Sequence, residues 1–263
     1  MRGRSTDLGS RLCAKTRSRL PGCRNGGSLM TDDLRSIFRA ALDPPALALM
    51  DEVEQFSGKV VGIVLEPPRT GTPNPLAMRT HLDSQGATIT IRSTEQISSH
   101  DAFHELLHIK RYWIDGIPRL VGASYLAEVP QQLHTTLEHV AMAGSERLAG
   151  YDPVSYWTRT NEVNWSKKSP LSHTNPENLR FYTVLNYLFR DAVTPDFRNY
   201  IRKKIRKAGL SDAISLVDGL LPRLDADRRG VIKEILAFCG TSRTGFYLVY
   251  YDIRSGVDRK EAL

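Results

Sequence analysis

Three cysteines, Cys13, Cys23 and Cys239, are all that the 263 residues contain. They show no CxxC spacing and no pairing pattern, which excludes a disulfide framework and a thiolate zinc site. Any soft metal must then be held by histidine and carboxylate. No run of 18 apolar residues occurs, so the sequence offers no membrane-spanning helix. Residues 1–29 lack a continuous apolar stretch and therefore do not read as a secretory signal. No internal repeat is apparent. With neither a span nor a signal, the expected compartment is the cytoplasm, and no membrane partner is expected.

Charge is scarce where it first looks abundant. The net charge is +7, but residues 1–29 hold seven Lys/Arg against the single acid Asp7. Residues 30–263 carry 29 basic and 28 acidic residues, so the body of the chain is balanced. The basic leader has the composition of a disordered tail that suits acidic partners. Met30, just before the helix start at Thr31-Asp32-Asp33-Leu34, offers an alternative first residue. A second basic cluster, Arg198 to Lys207, lacks aromatic interleaving beyond Tyr200. It reads as a solvated face, so a nucleic-acid partner is not expected. The remaining composition, 41% apolar, suffices for a full core.

Against these absences stands Ser98-Ser99-His100-Asp101-Ala102-Phe103-His104-Glu105-Leu106-Leu107-His108-Ile109. It contains H-E-x-x-H as His104, Glu105 and His108. On a helix, residues four apart share a face, so both imidazoles can reach one Zn²⁺ at about 2.0–2.1 Å. Glu105 is rotated by about 100° from the first ligand and is free to act as general base toward a metal-activated water. Ser98 followed by Asp101 makes a capping-box-like start. Gly116 and Pro118 mark the end of the helix, near Trp113. His100 continues the series, but three stacked turns span roughly 12 Å, too far for one ion.

A two-histidine site needs a third protein ligand and leaves a fourth position open. A second helix is predicted from Pro130 through Gln131 to Arg147, ended by Gly150. It carries His134, Glu138 and His139. Glu138, 30 residues after His108, is the expected ligand, completing a His₂Glu set. His139, rotated about 100° away, and His134, one turn earlier, remain alternatives. An oxyanion-stabilising donor is sought among His173, Tyr151 and Tyr156; His81 has no evident role.

Helical patterns are also expected after Thr31 up to Asp43-Pro44-Pro45, and from there to Phe56. Val60 to Leu65 reads as a buried strand stopped by Pro67-Pro68, residues 69–76 as a turn-rich loop, and Ala87 to Ile91 as a strand leading into the motif. Residues 114–129 read as a connection. Four helices fit residues 176–239, with Asn175, Thr194 and Ser211 as N-cap candidates, and Phe246 to Tyr251 looks strand-like. The fold class is α+β: a small sheet packed on the motif helix, then a helical C-terminal portion. Three regions result, a leader over 1–29, a catalytic unit over 30–160 and a mainly helical part over 161–263.

His104-Glu105-Leu106-Leu107-His108 followed by Leu137-Glu138-His139 resembles a zincin-fold metallopeptidase of the gluzincin type. In style it is similar to compact intracellular enzymes of the ImmA/IrrE kind, over about residues 58–150. The resemblance implies zinc-dependent peptide hydrolysis, an edge strand beside the motif helix to receive extended substrate, and a specific protein partner as substrate. It departs from the family at Asp101 and Lys110, where uncharged residues are usual. The N-E-x-x-S-D element of the thermolysin branch is missing around Glu138. Two other readings follow from the same residues: a catalytically inactive zinc-binding regulatory protein, and a nucleic-acid-binding protein using the leader and the basic helix.

Overall fold

The computed structural model describes residues 31–66, 78–123, 128–167 and 169–263. The leader and the loop over 69–76 lie outside them. The chain is α+β, two small sheets among nine helices of the described residues.

Helices α1 (Thr31–Ala41) and α2 (Pro44–Ser57) follow one another almost without a break. Pro44-Pro45, expected as a stop, instead opens α2. Pro suits a first turn, whose N–H groups have no helical partner, and Asp43 caps it by accepting from the Ala46 N–H.

The first sheet holds β1 (Gly62–Leu65), β2 (Arg79–Leu82) and β3 (Ala87–Ile91) in the order β1-β3-β2. β1 runs parallel to β3, and β2 antiparallel to it. Ala87, Ile89 and Ile91 alternate into the core, as the two-residue period of a strand requires. The predicted strand at 60–65 is shorter and buried on one face only: Val61 and Ile63 are inside, whereas Val60 and Val64 are 63% and 47% exposed. The strand beside the motif helix is not the one that leads into it. β3 is central, and of the two edges it is β2 that meets the helix, its Thr80 hydroxyl donating to the Glu105 carbonyl at 3.3 Å.

The motif helix α3 (Ser99–Trp113) begins as expected, with the Ser98 side chain accepting from the Asp101 N–H. Its apolar residues, among them Leu106 and Ile109, are fully buried. The connection that follows contains a strand, β4 (Arg119–Gly122). Then come α4 (Glu128–Leu148) and α5 (Pro153–Lys167). The expected division near residue 160 falls within α5.

Four helices do occupy 176–239: α6 (Pro176–Leu188), α7 (Pro195–Lys207), α8 (Ser211–Leu220) and α9 (Arg228–Cys239). Asn175 caps α6 through two backbone N–H groups; Thr194 makes no side-chain cap bond, and Ser211 is already inside its helix. The chain closes with β5 (Phe246–Asp252) and β6 (Val257–Ala262), giving a second, antiparallel sheet β4-β5-β6.

Two large apolar cores result, beside a small third cluster of Ala143, Trp157, Phe189, Ala192 and Val193. One gathers α1, α2, the first sheet and α3; the other gathers α6, α8, α9, Phe246 and Leu248. α4 belongs to both, through Met142 in the first and Leu133 and Leu137 in the second. That placement presents the remaining face of α4 to α3, and the site lies there.

Candidate metal centre

The α-helical period stacks His104 and His108 on one face of α3, with ring centroids 5.1 Å apart. A third imidazole, His139 of α4, stands 5.0 Å from His104 and 5.5 Å from His108. One potential ligand atom from each of the three lies within 4.8 Å of the other two. This is a spread that one Zn²⁺, taking nitrogen at about 2.0–2.1 Å, gathers by ring rotation.

Glu138, the expected third ligand, does not reach this cluster. It is completely buried on the adjacent stripe of α4, where its Oε2 accepts from Arg111 Nε at 2.7 Å and its Oε1 from Arg111 Nη2 at 3.3 Å and from Arg228. Arg111 also pairs with Asp225 at 2.7 Å. The carboxylate is thus shared by two guanidinium groups, and together with Asp225 it balances their buried charge. His134 is likewise turned away, hydrogen-bonded to the Tyr112 hydroxyl and to the Leu120 N–H. Of the three candidates on α4, it is His139 that faces His104 and His108.

The donor set fits a metal ion chemically. Burial, helped by the neighbouring imidazoles, pushes the His108 pKa well below its usual range. The same cause, with His104 beside it, lowers His139 to about 3. Both rings are thus neutral donors at physiological pH. The His104 ring is set by Glu146, whose Oε1 lies 2.6 Å from Nδ1. This leaves Nε2 for the cluster, in the carboxylate–histidine arrangement that orients metal ligands. Burial raises the Glu146 carboxyl, but bonds from His100 and His104 outweigh it and hold the pKa at about 2. Glu146 was not anticipated; its position seven residues after His139, two turns along the same face, was the available signal.

Glu105 lies beside the cluster in a cleft of about 220 Å³, shared with His104, His139, Met78, Tyr156 and Trp157. Burial raises its carboxyl pKa, which brings a carboxylate toward the range of a useful general base. Among the oxyanion candidates, Tyr156 borders this cleft, half-exposed. Tyr151 instead gives its hydroxyl to Asp43 at 2.6 Å and stacks on His100. His173 stacks on Tyr182, where it borders a different cavity. His100 also borders the cleft, Nε2 3.7 Å from Glu146. His81 is on β2, exposed. Asp101 borders the cleft, and Lys110 pairs with Asp115 at 2.6 Å outside it.

Comparison with known proteins gives no match to any family model, curated protein or solved structure. Among the described residues, no helix is long and apolar enough to cross a membrane.

Proposed function

We propose that the protein is a zinc-dependent metallopeptidase whose metal is held by His104, His108 and His139, with Glu105 as general base. The observation that carries this reading is the convergence of three imidazoles, two of which border one cleft together with the half-buried Glu105. The zincin-like arrangement expected from the motif has support in β2, an edge strand in contact with α3. Such a strand can pair its outer backbone groups with an extended polypeptide and lay it across the cleft.

When bound, the ion polarises the scissile carbonyl and acidifies the attacking water. Glu105 takes the proton from that water as it attacks, and then returns it to the amine that leaves. Tyr156 at the cleft mouth donates its hydroxyl to the oxygen on which negative charge develops. Glu146 fixes the His104 ring and keeps its Nε2 unprotonated.

A zinc-binding protein without catalysis is the alternative. A structural site is closed by a fourth protein ligand, whereas only three residues form this cluster among the described residues. The nucleic-acid reading is weakened because Arg198 and Arg202 on α7 face Asp191 and Asp218, at 3.2 and 3.8 Å.

The deciding experiment is elemental analysis joined to hydrolysis of a randomised peptide library. Wild type is expected to hold one zinc per chain and to cleave; Glu105→Gln should keep the zinc and lose turnover by a factor on the order of 10³ or more. Metal-free wild type after zinc is supplied, or full activity in Glu105→Gln, would sink the reading.

A further inference from the structure

A cavity of about 910 Å³ lies along α4, α5 and α6, away from the imidazole cluster, and nothing in the chemistry above uses it. It nevertheless lies along the same helix faces as the cleft. On α4, His139 and Glu146 border the cleft, while Thr135, Gln132 and Glu128 border the cavity. Their spacing of three, four or seven residues puts all five on one face of the helix. On α5, Trp157 borders the cleft and Asn164, two turns on, borders the cavity. An aromatic wall joins them: Trp157 packs on His139 at 5.0 Å and on Phe189, which borders the cavity, at 4.6 Å. The same two helices thus line both spaces, with hydrolytic groups toward one end and a wide cavity toward the other.

The chemistry of the cavity is distinctive. Its walls carry Gln131, Gln132, Thr135, Thr136, Asn164 and Asn186 over a floor that includes Leu185 and Phe189. Among the described residues Glu128 is its only acidic lining residue, already accepting from Gln132 at 3.1 Å, and no Lys or Arg lines it. Carboxamide side chains offer a donor and an acceptor each, the same pair that every peptide unit presents. They can pair with a backbone, or with Ser, Thr, Asn and Gln side chains, without desolvating a fixed charge. Along α4 the cavity runs from about 6 Å to about 16 Å beyond His139, at 1.5 Å per residue. Extended chain advances about 3.3 Å per residue, so this reach accommodates roughly positions two to five from the reacting bond.

We propose that this cavity is the recognition subsite of the hydrolytic centre and binds an uncharged, hydrogen-bonding stretch of substrate polypeptide on one side of the cleaved bond. The inference rests on the peptidase reading and adds the substrate class to it. A polypeptide is favoured over a sugar chain because the cavity shares its helix faces with groups suited to amide hydrolysis.

The test profiles cleavage of randomised peptides of about twelve residues, long enough to span cleft and cavity. Zinc-loaded wild type is compared with the double variant Thr135→Glu, Asn164→Glu, both positions being exposed and tolerant of substitution. Wild type should select Ser, Thr, Asn, Gln and Gly at positions two to five on one side. The variant should instead enrich Lys and Arg there by about tenfold, a modest contact energy. The reversed pair Thr135→Lys, Asn164→Lys should enrich acids, which covers the case in which the first variant is inactive. Unchanged selectivity in variants that still cleave overturns the subsite and leaves the peptidase reading intact. If wild type cleaves nothing, capture of the same library on the zinc-loaded protein decides. Peptides retained by wild type and lost in the variants support the subsite while the hydrolytic reading falls; no retention overturns both. Binding of a glycan array with no peptide retained would reassign the cavity to a saccharide and overturn the proposal.

Discussion

On α4, Glu138 and His139 are adjacent in sequence but point about 100° apart. One ends between Arg111 and Arg228; the other ends beside His104 and His108. Substitution at each should therefore fail in a different way. Glu138→Ala leaves two buried guanidinium groups without their shared carboxylate, a loss of about 3–5 kcal/mol by comparison with other broken buried pairs. For a body of this size that lowers the melting temperature by on the order of 10 °C, with zinc content per folded chain unchanged. His139→Ala should do the reverse, nearly preserving the fold while losing most of the metal. Melting curves and elemental analysis on the two proteins side by side check this; zinc lost in Glu138→Ala at full stability would return the ligand role to the glutamate. Glu146 acts one step removed. Glu146→Gln keeps the shape but weakens the hold on His104 Nδ1, and such outer partners are worth about 10–100-fold in metal affinity. Competition against a chromogenic chelator should show a loss in that range, and an unchanged affinity would make Glu146 merely a buried carboxylate.

At the scale of elements, α3 was legible because several local signals agree: a serine cap, the motif spacing and an apolar stripe. The cap is open to test, since Ser98→Ala removes the acceptor for the Asp101 N–H and should cost about 1 kcal/mol in a urea melt. An unaltered midpoint would show that the packing of α3 alone sets its start. α4 was legible as a helix but not in rotation. Leu137, Glu138 and His139 occupy three successive directions, and only the burial of Leu133 and Leu137 in the second core decides which one turns to α3. A glutamate that looks ligand-like is taken by arginines 27 residues before it and 90 residues after it, a distance no local pattern spans. α5 went unread although Trp157, Asn161 and Trp165 are buried at four-residue intervals. The middle position is polar, and its amide nitrogen donates within the helix to the Trp157 carbonyl at 2.9 Å. The missed strands share a different cause. β2 is a four-residue edge with mainly outward side chains, and β6 is a charged edge with five of its six residues exposed. Edges paired on one side need no apolar alternation, so they leave little trace in sequence.

For the whole molecule the decisive feature is how the two cores are joined, and His134 sits at that joint. It reaches from α4 to Tyr112 on α3, which belongs to the first core, and to Leu120 on β4, which belongs to the second. The Leu120 N–H points at Nδ1, so the ring's proton is on Nε2, toward the Tyr112 oxygen. Protonating Nδ1 would set donor against donor. Burial is the main reason that the pKa lies well below its ordinary 6.5, and Arg228, Arg119 and Arg111, with His139 nearby, add to it. The sign of the pH dependence follows from this depression. Below about pH 6.5 the unfolded chain binds a proton at this ring that the folded protein refuses, so stability is complete above that pH and falls as the medium becomes more acidic. Each such proton contributes a slope of up to about 1.4 kcal/mol per pH unit. His134→Gln removes the titrating group while retaining a donor and an acceptor. Urea unfolding of chelator-treated wild type and variant, followed between about pH 7 and 5, should show the wild-type stability falling more steeply by up to that slope. Parallel curves would mean that the joint between the cores tolerates a charged imidazole, and that burial there does not hold His134 neutral.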